Sequence, residues 1–211
     1  MKPSRKPDAA MNRAIAEMLA ARVEISVRFE RDVRNLAHEG GLAVACRIGC
    51  AHCCSYPLVT SLLEGLTAYR SIAETGLWTP SLRKRVEEMA DKTQGLAYEV
   101  WLLADIPCPL LDDKRCIIYT GRPLTCRLSY NVGDAYYCHP HRLGQASSIV
   151  GRVEPLKEFH AAESRILKTL GAHHLLLPFA RAILFGARIA AGEIQPSKLN
   201  NLLVEELRHG G

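Results

Sequence analysis

Apolar residues recur at intervals of three and four along the N-terminal part of the chain, with charged residues between them. The positions are Met11, Ile15, Met18, Ile25, Phe29, Val33 and Leu36. This spacing produces one apolar face on a helix, because an α-helix completes a turn in about 3.6 residues. Gly40 and Gly41 are a typical helix end. The pattern therefore predicts an amphipathic helix over about residues 7–38, which we expect to pack on the rest of the chain.

A second helix is predicted by its starting signal. Residues 56–60 are typical of an extended segment. Ser61 and Glu64 then have the spacing of a capping box, in which the two side chains satisfy the first free amides of a helix. The sequence therefore predicts a helix over about residues 62–74 that ends before Gly76.

Further helices are predicted toward the C-terminus. Thr79 followed by Pro80 marks a helix start, since Pro is well tolerated at the first helical position. We expect this helix to continue to about Ala104, with a bend at Gly95. The later helices are expected over about residues 155–170, capped by Gly171, and over about residues 174–191 and 197–208.

A segment with short strands lies between these helices. Residues 108–119 are typical of a short β-hairpin with residues 112–114 in its turn, and loop-rich sequence follows to Arg142. We therefore predict a mainly α fold: a helical domain with a small β-hairpin and a loop-rich cysteine metal-binding core. The parts of this single compact domain are an N-terminal amphipathic helix (1–41), a cysteine-cluster core (42–142) and a C-terminal helical block (143–211).

Eight cysteines give the chain its candidate chemistry, and four of them lie within nine residues. They are Cys46, Cys50, Cys53, Cys54, Cys108, Cys116, Cys126 and Cys138. Such thiols form disulfides, pack in a core or bind a soft metal. The charged N-terminus is not followed by the apolar stretch of a secretory signal, so we expect a cytoplasmic protein with reduced thiols. No apolar run long enough for a membrane span is present.

Metal ligation explains the clustering better than scattered core positions do. Thiolates favour zinc, iron–sulfur clusters and copper(I) over magnesium and calcium. The two-residue spacer between Cys50 and Cys53 lets both sulfurs face one ion, and Gly49 provides a tight turn before them. The adjacent Cys53 and Cys54 point in different directions, so one of them serves a second metal or stays unligated. All eight cysteines are candidate metal ligands.

The order of these motifs resembles the CxxCxxCC family of zinc- or iron-chelating cysteine domains. The matching motifs are Cys46-x-x-Gly-Cys50-x-x-Cys53-Cys54, Cys108-Pro-Leu-Leu-x-Asp-x-x-Cys116 and Arg122-Pro-Leu-x-Cys126-Arg127. The first spacer is three residues long here, which departs from the family pattern at Cys46. The cluster is also similar to that of flagellin lysine N-methylases, which implies an enzyme as an alternative. The chain lacks a glycine-rich turn between a strand and a helix for a nucleotide or S-adenosylmethionine.

The resemblance and the cysteine spacing are compatible with two kinds of metal centre, an iron–sulfur cluster and a zinc ion. Zinc ribbons usually show two separate CxxC pairs, which this sequence lacks. A compact cysteine cluster with remote partners favours an iron–sulfur cluster, so this is our first choice and zinc the second. The predicted function is a metal-binding protein that holds one of the two. The alternatives are an iron–sulfur-dependent methyltransferase-like or redox enzyme, and a structural zinc module that contacts a protein partner.

Other residues near the cysteines have secondary roles in this interpretation. Arg122 and Arg127 are candidates for offsetting the negative charge of a tetrathiolate site, with a backbone cap or surface ion pair as the alternative. Three histidines flank the cysteines and are expected to lie outside the metal's first coordination shell or on the surface: His52, His139 and His141. His173 and His174 precede an apolar helix and are expected to be structural. The net charge of +5 is spread along the chain, which does not favour nucleic acid.

Overall fold

The fold consists of helices joined by short antiparallel strand pairs. The computed structural model describes residues 9–142, 149–151, 153–170 and 174–194, together with residues 198, 201, 202 and 204. Within these residues the elements in chain order are α1 (Ala9–Glu39), β1 (Val59–Ser61), α2 (Leu62–Glu74), α3 (Pro80–Thr93), α4 (Tyr98–Leu103), β2 (Leu111–Asp112), β3 (Arg115–Cys116), α5 (Leu124–Arg127), β4 (Ser129–Asn131), β5 (Ile149–Gly151), α6 (Val153–Thr169), β6 (Leu176–Pro178) and α7 (Phe179–Ala190). The mainly α class with a small β-hairpin is confirmed.

Helix α1 forms as its apolar spacing predicts. Its buried face carries Ile15, Met18, Ile25, Phe29 and Val33. Part of this face packs against α6. The helix ends where Gly41 adopts a φ of 64°, a left-handed conformation that L-residues with a side chain rarely accept.

Helices α2 and α7 pack against each other more closely than ordinary side chains allow. A Cβ atom on Gly65 would lie 2.3 Å from the backbone of Ala182, and one on Gly186 would lie 2.6 Å from Cα of Leu66. The strands that precede the two helices, β1 and β6, pair antiparallel with Thr60 opposite Leu177. The helix pair is therefore joined both through its backbones and through its leading strands.

Strand β6 replaces part of a predicted helix. The helix expected from residue 174 begins only at Phe179. Residues 176–178 are extended and pair with β1, and the position before Pro178 disfavours helical dihedral angles. The prediction was wrong here because a partner strand far away in the sequence captures these residues.

The helix expected to run to Ala104 is also divided in two. Helix α3 begins at Pro80 with the Thr79 side chain accepting a hydrogen bond from the backbone, as predicted. It ends at Thr93, and Gly95 follows with a φ of 69°, after which α4 starts at Tyr98. The predicted bend was therefore wrong, because a left-handed glycine ends a helix rather than curving it.

The remaining elements agree with the predicted order. Helix α6 matches the helix predicted over 155–170. In the hairpin, β2 pairs with β3 in a register that sets Leu111 opposite Cys116, and Asp113 and Lys114 form the turn with φ of 42° and 61°. The Gly171 cap and His173 lie outside the described residues, as does most of the predicted helix 197–208.

Two apolar cores lie along the α2–α7 pair. The first core gathers residues from α1, α2, α6 and α7, and Cys46 packs against it. The second gathers residues from α2, α3 and α7 together with Trp101, and Cys108 and Cys116 pack against it. The cysteines of the two blocks therefore lie against different cores of the same helix pair. No helix in the described part of the chain has the length and apolar character needed to span a membrane.

The α2–α7 contact predicts a stability defect for Gly186→Ala. The added Cβ would lie 2.6 Å from Cα of Leu66 and 2.9 Å from its amide nitrogen, and these backbone atoms cannot rotate away. Overpacking of this kind costs about 1–3 kcal/mol, whereas the gain in helix propensity is at most about 1 kcal/mol. We expect a net loss of about 1–2 kcal/mol in urea unfolding.

Gly40→Ala is the matched control for this substitution. Its added Cβ would meet no atom closer than 3.3 Å, at the exposed end of α1. We expect a change within about 0.5 kcal/mol, as is usual for surface positions. Equal stability of Gly186→Ala and the wild type would contradict the close helix contact.

Candidate metal centre

All eight cysteines line a single cavity of about 310 Å³. The first block reaches it from the loop after α1, and the second block reaches it from the hairpin, α5 and the segment after β4. The two blocks are joined directly, because the amide of Cys108 donates a hydrogen bond to the carbonyl of Cys54 at 2.8 Å. Each of the eight is a free thiol. The structure thus brings together every cysteine that the sequence proposes as a ligand.

Consecutive tight turns shape the loop that carries the first block. The amide of Cys50 donates to the carbonyl of Arg47 at 3.1 Å, and the amide of Cys54 donates to the carbonyl of Ala51 at 3.0 Å. Gly49 adopts a φ of 87°, as the turn expected before Cys50 requires. These turns fold the four thiols of the first block into one short loop.

One set of thiols comes from the hairpin and α5. Burial raises the pKa of the Cys108 thiol to about 12, and the charges of Cys116 and Cys53 act in the same direction. Burial also raises the pKa of Cys126, with contributions from Cys108, Cys53 and Cys116. We call Cys108, Cys116 and Cys126 the hairpin set. All three line the cavity.

A second set lies around Asn131 at the end of β4. The Asn131 amide nitrogen donates to Sγ of Cys46 at 3.2 Å, and its side-chain nitrogen donates to Sγ of Cys138 at 2.9 Å. Burial raises the pKa of both thiols, while these hydrogen bonds lower it. The charge of Cys50 acts on both as well. We call Cys46, Cys50 and Cys138 the Asn131 set.

Sequence reasoning missed Asn131. The residue is buried between the buried side chains of Tyr130 and Val132. An asparagine between apolar residues close to Cys138 was the available signal, because a buried amide needs hydrogen-bond partners. Its backbone and side chain together give the Asn131 set two donors directed at sulfur.

Cys53 lies between the two sets. Its charge contributes to raising the pKa of Cys108 and Cys126 in the hairpin set, and of Cys46 and Cys138 in the Asn131 set. A hydrogen bond with Cys54, followed by burial, raises the pKa of Cys53 itself. Cys53 is also the one exposed cysteine of the eight. It is the thiol within electrostatic reach of both sets.

The two arginines singled out in the sequence have different positions. Arg122 lines the cavity, and its charge lowers the pKa of Cys53, Cys116 and Cys126 against the effect of burial. Its guanidinium lies 4.0 Å from the ring centroid of Tyr119. Arg127 instead donates to the carbonyl of Thr120, which is the backbone-cap alternative. Arg122 is therefore the arginine that can offset negative charge at the thiols.

Three residues that line the cavity have buried polar atoms without a hydrogen-bond partner. These atoms are Oη of Tyr56, Nε1 of Trp101 and Nε of Arg122. An unsatisfied buried donor costs about 1–3 kcal/mol, so native proteins rarely leave several beside one cavity. Because these atoms are covered by protein, the groups that the cavity offers a bound metal are the thiols and the charge of Arg122.

The histidines near the cysteines do not line the cavity. His139 lies 3.3 Å from a carboxylate oxygen of Asp105 and stacks on His141, with 5.4 Å between the ring centroids. His52 is also absent from the cavity wall in the described part of the chain. These positions agree with the expectation that the flanking histidines lie outside the first coordination shell.

Two buried charged side chains fix the loop that leads to Cys126. Nη1 of Arg22 in α1 donates to the carbonyl of Gly121 at 3.0 Å. The amide of Leu124 donates to Oε1 of Glu64 at 2.5 Å. The Ser61 cap of α2 forms as predicted, but the Glu64 side chain accepts from this distant loop instead of completing the predicted capping box. Helices α1 and α2 thereby position Arg122 and α5 at the cavity.

A cavity lined by clustered thiols, with a nearby guanidinium and buried donors, is typical of thiolate metal-binding domains. Residues 45–147 match the family model CxxCxxCC, whose description is "Putative zinc- or iron-chelating domain". This segment contains all eight cysteines. No curated protein and no solved structure matches the chain.

The role of Glu64 predicts a pH dependence of stability. Burial, followed by the charge of Glu163, raises the pKa of Glu64 from 4.5 to about 8. Between these values the folded protein holds a proton that the unfolded chain releases. The free energy of unfolding therefore falls as pH rises through this range, by up to about 1.4 kcal/mol per pH unit from this group.

Glu64→Gln should remove this contribution, because the amide oxygen still accepts from Leu124 and carries no titrating proton. Urea unfolding of both proteins between about pH 5 and pH 8 measures the difference in slope. We expect the variant to lose less stability than the wild type as the pH rises. Parallel curves for the two proteins would show that Glu64 is not the responsible group.

Proposed function

We propose that the protein is an iron–sulfur protein whose cluster occupies the cysteine cavity. The observation that carries this proposal is the combination of eight free thiols around one cavity with Arg122 among its lining residues. A structural zinc ion closes its coordination shell with four ligands and brings no further acceptor. An iron–sulfur cluster adds inorganic sulfides, and hydrogen bonds to sulfur are a known means of tuning such centres.

The hairpin set with Cys53 or Cys54 is the proposed ligand set. Four thiolates are the usual ligands of a cluster. The Cys108–Cys54 backbone hydrogen bond holds the two blocks together, and Arg122 offsets the negative charge beside three of the thiols. A buried anionic centre requires such compensation.

The Asn131 set is assigned to a weaker second site. It offers three thiols, and the same buried asparagine donates to two of them. The charge of Cys50 contributes to raising the pKa of Cys46 and Cys138. The charge of Cys53 contributes to raising the pKa of Cys108 in the hairpin set. We therefore place Cys50 in this second set, although its spacing from Cys53 first suggested a shared ion.

Metal analysis of the protein purified without oxygen tests the proposed cluster. We expect iron together with acid-labile sulfide, a brown colour, and visible absorption that bleaches on reduction. These signals are specific to a cluster, because a zinc thiolate site is colourless and contains no inorganic sulfide. A colourless protein with stoichiometric zinc would overturn the proposal and favour a structural zinc module.

Single substitutions to serine distinguish the two thiol sets. Cys116→Ser and Cys126→Ser should lower the iron content by more than about 10-fold, because each removes a ligand rather than an outer contact. Cys46→Ser and Cys138→Ser are matched controls in the same cavity and should keep most of the iron. Circular dichroism checks that each variant is folded. Equal loss in all four variants would indicate one larger centre and contradict the division.

A further inference from the structure

A second group of ligand-type side chains lies outside the cysteine cavity. His160 and Glu163 are one turn apart on α6, and His174 precedes β6. One ligand atom from each lies within 4.8 Å of the other two. None of the three lines the cysteine cavity, and all lie beyond the segment that matches the family. Any chemistry at this group is therefore separate from the thiols.

The carboxylate of Glu163 is fully buried and held in place. Its exposed fraction is 0%, and the Ser61 hydroxyl donates a hydrogen bond to Oε1. Ser61 is fixed in turn as the cap of α2, where its oxygen accepts from the amide of Glu64 at 3.1 Å. The second carboxylate oxygen of Glu163 lies 3.2 Å from Nε2 of His174. This support from a neighbouring hydroxyl is typical of a ligand carboxylate.

A second buried carboxyl group lies beside this group. Glu64 is 1% exposed, and its Oε2 has no hydrogen-bond partner. Glu163 is close enough to Glu64 for its charge to act on it, and Arg22 is the cation that acts in the opposite direction. Burying charge is costly unless it is paired or bound to a metal. The buried carboxylate of Glu163 therefore favours a cation beside it.

The two imidazoles form the accessible side of the group. Their ring centroids are 4.8 Å apart, and the His174 side chain is 19% exposed. His160 is also partly exposed, in contrast to the buried glutamate. An ion can therefore approach the two rings from solvent and reach the carboxylate behind them.

We propose that His160, Glu163 and His174 bind a divalent transition-metal ion at a site distinct from the cysteine centre. Two imidazoles and one carboxylate suit ions such as Zn²⁺, Fe²⁺ and Co²⁺, and open positions remain for water. Bonds of about 2.0–2.2 Å place tetrahedral ligand atoms about 3.4 Å apart. His174 and Glu163 already have this separation, at 3.2 Å, so His160 makes the main adjustment.

Cobalt binding to the whole chain tests the proposed histidine–glutamate site while the cysteine centre already holds iron. Co²⁺ is added to the iron-containing protein, excess ion is removed by gel filtration, and retained cobalt is counted. We expect about one Co²⁺ per chain, with a visible spectrum that lacks thiolate-to-cobalt charge transfer, because the ligands are nitrogen and oxygen. Absence of retained cobalt, or a thiolate spectrum that the histidine variants leave unchanged, would overturn the proposal.

His160→Gln and His174→Gln are the decisive variants because both rings are partly exposed. Each should weaken Co²⁺ binding by at least about 10-fold, since losing even an outer partner of a ligand has that effect. His139→Gln is the control, because it changes another paired histidine outside this group. Wild-type affinity in both decisive variants would refute the site.

A stability measurement provides the second readout. Zn²⁺ bound only by the folded state raises the melting temperature, and the increase should be present in the wild type and His139→Gln. It should be absent from His160→Gln and His174→Gln, even if the metal-free variants melt at a different temperature. An undiminished increase in these two variants would show that Zn²⁺ acts elsewhere and would contradict the proposal.

Discussion

The geometry of the cysteine cavity depends on a buried arginine and a buried glutamate that bind backbone rather than each other. Arg22 donates to the carbonyl of Gly121 at 3.0 Å and to that of Arg122 at 3.5 Å, while Glu64 accepts from the amide of Leu124. These contacts lie in the short loop that carries Arg122 and leads to Cys126. Because buried hydrogen bonds are costly to break, α1 and α2 determine where Arg122 and Cys126 lie.

The cavity itself combines tight turns with this support from the helices. Cys50 and Cys54 follow tight turns in a loop, whereas Cys116 lies in a strand and Cys126 in a short helix. The cavity wall offers eight thiols, and Arg122 is the cation that lowers the pKa of three of them. The family match and the clustered thiols thus agree on a metal-binding centre.

Local signals in the sequence predicted most of the helices, because apolar periodicity, the Ser61 cap and the Thr79–Pro80 start depend on neighbouring residues. Contacts between distant segments were not predictable in the same way. Strand β6 formed because β1 pairs with it, and Glu64 left the capping box to bond Leu124. The candidate cysteines were recognisable from the sequence. The hydrogen bonds of Asn131 to two thiols, and the different positions of Arg122 and Arg127, depend on contacts that only the folded chain makes. The proposed domain boundaries remain predictions.

The pairing of β1 with β6 joins segments that are more than one hundred residues apart in the chain. The hairpin set lies inside the long loop that this pairing closes, and the first cysteine block lies just before it. A metal held by Cys53 and the hairpin set would divide this loop into shorter ones. Shorter loops have a smaller closure entropy, so metal binding and the docking of α7 on α2 favour each other during folding.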